Sequence, residues 1–118
     1  MKNFLVLYMA PARVLEEWMA KDAEYREAEE KKMQVEWGQW VETHKDIFTG
    51  PTAGAGKTKR ITATGVEDVK NDIMIFSIVA AESQDAAVEI FKGHPHFGIP
   101  EATIEIMPVN YMPGMEGK

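Results

Sequence analysis

A chain of 118 residues with 45% hydrophobic and 27% charged side chains has the composition of a folded globular domain, long enough for one domain, residues 1–118, to bury a core without disulfides or a metal. The net charge of -6 argues against a nucleic-acid binder, because neutralising phosphates takes a basic surface. Cysteine is absent, which fits the cytoplasm, and no apolar run reaches the length of a transmembrane helix, so no membrane partner is expected.

Lys2 to Met9 reads as a strand, with Phe4, Val6 and Tyr8 on one face and Leu5, Leu7 and Met9 on the other. The amino terminus lacks the small-residue cleavage site of a signal peptide and alternates, so it is read as structure. Pro11 ends the strand. Helical spacing then begins at Val14, Leu15, Trp18 and Met19 and resumes at Met33, Trp37, Trp40 and Val41, with Phe48 closing the run. The intervening DAEYREAEEKK is helix-forming and should be a solvated face. A straight helix from Ala12 to Asp46 would be about 50 Å long in a globule about 35 Å across, so the helix either breaks or bends between Ala20 and Lys32, the favoured expectation, or projects beyond the domain onto a partner.

Gly50 to Gly56 is a loop by composition, Thr58 to Thr64 alternates as a half-polar strand, and Gly65 to Asp72 reads as a turn. Ile73 to Glu82 is the most apolar stretch: Ile73, Ile75, Ser77 and Val79 alternate with Met74, Phe76, Ile78 and Ala80, so both faces demand cover. Ser83 can cap a second helix, Gln84 to Lys92, with Asp85 in its first turn and Gly93 at its exit. A loop from His94 to Pro100 leads to a last strand at about Ala102 to Val109, and the tail, Asn110 to Lys118, should be loose.

Strand, helix, strand, strand, helix, strand with right-handed crossovers is an α+β arrangement, a ferredoxin-like βαββαβ with a four-stranded antiparallel sheet whose first and third strands are central. Two helices cover one face only. The other face would leave several large apolar side chains in water, at roughly 1.5–3 kcal/mol each, so a second copy should cover it. A homodimer through the sheet face, forming a dimeric α+β barrel, is the expectation.

GAGKT invites a phosphate-loop reading, but the required first glycine is Pro51 and a strand, not a helix, follows Lys57. Lys57, Lys59 and Arg60 protect a strand edge or attract an anionic ligand. His94 and His96 flank Pro95 at the exit of the second helix, where a side chain titrating near neutrality can move protons; Asp46 and Glu36 are carboxylates able to orient one. Structurally, the same pair would favour a negative helix end and pack beneath the loop. Trp37, Trp40 and His44 share one helical face, and Tyr8 can look into the same space, forming either a ligand-cavity wall or core. The histidines find no sequence-local third ligand, although Glu101 and Glu105 are conceivable, so neither a metal nor a cofactor is expected.

KNFLVLYMAP, WGQWVETHKDIFTGP, GKTKRITATGV, SQDAAVEIFKGHPHF and TIEIMPV together resemble the YCII-related family of dimeric α+β barrel proteins over nearly the whole chain. The resemblance implies a homodimer and an active site around a histidine and an aspartate, here His96, His94 and Asp46. The chain departs from the family where some members have an acidic residue before the helix-exit proline. A family histidine falls near Met33, and Thr49-Gly50-Pro51-Thr52 replaces an aspartate-glycine-proline-phenylalanine motif. Two functions are expected from these readings. One is a small-molecule lyase, isomerase or cofactor-independent oxygenase with a pocket between sheet and helices; the other is a non-catalytic binding or sensory module in which Tyr8, Trp37, Trp40 and His44 hold an unknown small molecule.

Overall fold

The alternating apolar sets of the amino terminus form strand β1 (Lys2–Met9) in the computed structural model, which describes residues 1–115. Pro11 starts helix α1 (Ala12–Met19). The expected break follows at residues 20–22, where Asp22 caps helix α2 (Ala23–His44) by accepting the backbone N–H groups of Glu24 and Tyr25 at 3.1 and 3.4 Å. The first half of α2 is largely exposed, as the charged middle segment demands, whereas Trp37 and Trp40 bring its last turns onto the sheet.

A single 3-10 turn (Lys45–Ile47) leads into a segment that runs along the sheet edge and contains β2 (Ala53–Gly54). Gly50 sits close against the sheet there: a Cβ would stand 3.2 Å from that of Ile78, which would have to give by a few tenths of an ångström. Strands β3 (Thr58–Thr62) and β4 (Gly65–Val69) pair with each other, β5 (Ile73–Ala81) crosses the centre, α3 (Gln84–Phe91) starts on the Ser83 cap, and β6 (Thr103–Pro108) closes the fold. The main sheet has the order β2-β5-β1-β6 and is antiparallel throughout. The first and the most apolar strands are therefore central, as the sequence pattern requires.

Two expectations are corrected. The segment from Thr58 to Thr64 is not a strand of the main sheet, and Gly65 to Asp72 is not merely a turn; together they make a separate hairpin. The reason lies across the hairpin: Lys59 stands opposite Asp68 and Arg60 opposite Glu67, with contacts of 2.7 and 3.2 Å, and Ile61 faces Val66. A ribbon whose charges match internally gains nothing by seating them on an apolar sheet. The second correction concerns the barrel. The four strands form an open, uncurled layer ending at β2 and β6, and a two-residue edge strand offers too little to close one.

The core lies between the sheet and α2 and α3: Phe4, Val6, Tyr8, Val79 and Ala81 from the strands meet Trp40, Ala87 and Phe91 from the helices. On the opposite face Leu5, Leu7, Phe76, Ile78 and Met107 are only half-buried. No described helix is long and apolar enough to cross a membrane. The expected loose tail includes residues 116–118, which lie outside the described residues.

Because Phe4 is fully enclosed, Phe4→Ala should lower stability by about 3–5 kcal/mol in chemical denaturation. Ile61→Ala, at a hairpin position 79% exposed, should change it by no more than about 0.5 kcal/mol.

Candidate functional site

The exit of α3 folds into a turn that positions both histidines. The His94 N–H donates to the Phe91 carbonyl at 3.1 Å, Pro95 opens a 3-10 turn (Pro95–Gly98), and Nδ1 of His94 accepts the His96 backbone N–H at 2.9 Å. The imidazole is thus the cap of its own turn, a local use of the His-Pro-His spacing. Since Nδ1 accepts, the neutral His94 ring carries its proton on Nε2. His96 reaches across the fold, where its Nε2–H donates to the Met9 carbonyl at 2.9 Å, leaving a lone pair on Nδ1.

The two rings are 2% and 0% exposed. Aromatic side chains from three elements enclose them: the His94 ring centroid is 4.4 Å from those of Trp37 and Trp40 and 5.2 Å from that of Tyr8, and the His96 centroid is 5.7 Å from Tyr8. His44 stacks on Trp40 at 4.3 Å and its Nδ1–H donates to the Trp40 carbonyl. The Tyr8 hydroxyl is hydrogen-bonded to Ser77 at 2.9 Å, and Ser77 to Thr52 at 2.8 Å. Four of the sequence-selected ligand residues, Tyr8, Trp37, Trp40 and His44, therefore do come together with His94 and His96. They come together as packed rings, because centroid spacings of this size are those of aromatic contact.

Burial dominates the titration of the pair. It pushes His94 down to about 4, with further lowering from the nearby positive charge that His96 and His44 would carry. Burial also lowers His96, opposed by the backbone at Met9 and Thr103, and it raises Tyr8 against the lowering effect of Ser77. Among the described residues, His94 Nε2 and His96 Nδ1 are the buried side-chain atoms without a hydrogen-bond partner. Asp46 is elsewhere: it sits exposed on the turn after α2, and neither histidine bonds to a carboxylate among the described residues. No three metal-ligating side chains gather among the described residues.

A cavity lies away from this cluster, at the end of the sheet. It measures about 730 Å³ and opens between α1 and the β3–β4 hairpin, with Ile73 and Met74 of β5 also in its lining. Ala12 and Leu15 line it from α1, Ala55 and Lys57 from the loop, and Lys59, Asp68 and Lys70 from the hairpin side. Lys70 reaches Glu16 of α1 at 2.9 Å and so links the two walls. Sequence reading did not foresee this groove, which arises from the hairpin; the basic run at Lys57 was its one local sign.

The chain matches none of the known protein-family models, and no curated protein shows a significant match to it.

A buried neutral histidine has a defined pH signature. The unfolded chain takes up a proton near pH 6.5 while folded His94 does so only at about 4, so stability should fall as pH drops through that window. The slope from this group reaches up to about 1.4 kcal/mol per pH unit, readable from denaturation midpoints. In NMR titration the His94 ring should stay neutral at pH 6.

Proposed function

We propose that the chain is a non-catalytic binding protein for a small, largely apolar molecule, held in the groove between α1 and the β3–β4 hairpin. The observation that carries this reading is the groove itself: about 730 Å³, within the usual range of ligand sites, and lined by Ala10, Ala12, Leu15, Ala55, Ile73 and Met74. Neither histidine lines it. An acid–base reading rests on His94 and His96, whose rings are packed among aromatics with no carboxylate bonded to them among the described residues. That environment suits a structural pair held neutral better than a proton shuttle.

The neutral dye phenylnaphthylamine, which brightens in apolar surroundings, should bind the protein with increased fluorescence. Ala55→Trp puts a large side chain into the groove from an exposed loop position and should abolish the increase without lowering the melting temperature. Dye binding indifferent to that substitution would place the ligand elsewhere.

We further propose a homodimer that pairs through the sheet face carrying Leu5, Leu7, Phe76, Ile78 and Met107. What supports it is that α2 and α3 cover only the other face, and that these five side chains retain part of their apolar surface in water. The resemblance to the YCII-related family points the same way. Light scattering should give twice the 13.3 kDa chain mass, and Leu7→Glu, at a half-buried position in a central strand, should return a monomer or an unfolded chain.

A further inference from the structure

The groove's charges are unequal, and the inequality has a direction. Three lysines line it, Lys57, Lys59 and Lys70, against two carboxylates, Glu16 and Asp68. Both carboxylates are taken: Asp68 holds Lys59 at 2.7 Å and Glu16 holds Lys70 at 2.9 Å. Lys57 alone of the three makes no ion pair among the described residues. It therefore leaves one positive charge at an apolar cavity, on a chain whose net charge is -6.

The loop that carries Lys57 keeps the groove accessible. Gly54, Ala55 and Gly56 precede it, and a Cβ at Gly56 would meet nothing within 4 Å, so small residues leave room at the entrance. The loop is nonetheless fixed to the sheet, because the Ala55 N–H donates to the Met74 carbonyl at 2.8 Å. Below it, the Asn71 side chain donates to Thr58 at 3.2 Å and accepts the Ile73 N–H at 2.9 Å, tying the hairpin base to β5. An uncompensated ammonium is thus held at the margin of apolar walls.

Resting on the binding reading above, we propose that the groove selects an amphipathic organic monoanion, its apolar body lying along Leu15, Ile73 and Met74 and its acid head meeting the Lys57 ammonium. A bare anion would leave the apolar lining unused, and a cation would meet Lys57 with like charge.

The test compares two dyes of similar body, neutral phenylnaphthylamine and anionic anilinonaphthalene sulfonate, on the full chain. The sulfonate should bind more tightly; Lys57→Gln should weaken it about threefold and Lys57→Glu about tenfold, both affecting the neutral dye less. Raised salt should weaken only the sulfonate. Decanoate should displace the bound sulfonate and inorganic phosphate should not. If neither dye binds, or Ala55→Trp leaves both bound, the groove reading itself falls. If both dyes bind in the groove but ignore the Lys57 substitutions, binding stands and the anion selectivity is overturned. Displacement by phosphate would overturn the amphipathic class. Dye affinity that falls as protein concentration rises would mean that a second copy of the chain occupies the groove, overturning the small-molecule assignment.

Discussion

Tyr8 is the side chain on which the two layers of this fold converge. It sits at zero exposure in the central strand β1, its ring 5.2 Å from those of Trp37 and His94 and 6.1 Å from that of Phe91. A buried phenol needs a partner for its hydroxyl, and here Ser77 of β5 supplies it, backed by Thr52 of the edge segment. One residue thus joins two central strands, the last turns of α2, the end of α3 and the His-Pro-His turn. The histidines follow from this constraint. They fill the corner beside the phenol, and burial there disfavours their charged forms.

The parts of the fold that were legible in the sequence are those whose causes are local. Strand β1 occupies Lys2–Met9 because its alternation is uninterrupted, and α3 begins at Gln84 because Ser83 caps it. The break before α2 was visible as a length that no domain of this size accommodates, and its cap, Asp22, lay within the expected interval. The hairpin was not foreseen, since its strands are polar and the pairing of Lys59 with Asp68 and Arg60 with Glu67 shows only once the chain is folded back at Thr62 to Gly65. The barrel failed for a related reason. The barrel expectation packed a second copy on a sheet of four full strands, Thr58 to Thr64 among them, where that edge holds only the two residues of β2.

For the candidate site, helical spacing brought Trp37, Trp40 and His44 together correctly, and strand alternation put Tyr8 beside them. Whether such a set encloses a cavity or packs solid depends on distances that no spacing rule contains. The bond from His96 to the Met9 carbonyl, across 87 positions of sequence, was equally out of reach. Asp46 shared the helix but not the neighbourhood, because the chain leaves α2 in a 3-10 turn that puts it in solvent. The groove depends on the hairpin, so it was lost with it.

The outer edge of β5 is occupied by something softer than a strand. Phe48 bridges to Val79, the Thr49 N–H reaches the Ile78 carbonyl, Ala53 and Gly54 pair with Phe76 and Ile75, and the Ala55 N–H meets Met74. An irregular strip with only two residues in a regular ladder therefore shields the most apolar strand of the chain. Were the strip to come off, it would uncover a run of unpaired backbone flanked by Ile, Phe and Val, the template on which foreign strands add. Keeping that strip on its track is then a protection against strand addition of its own, one that a measurement of global stability does not read.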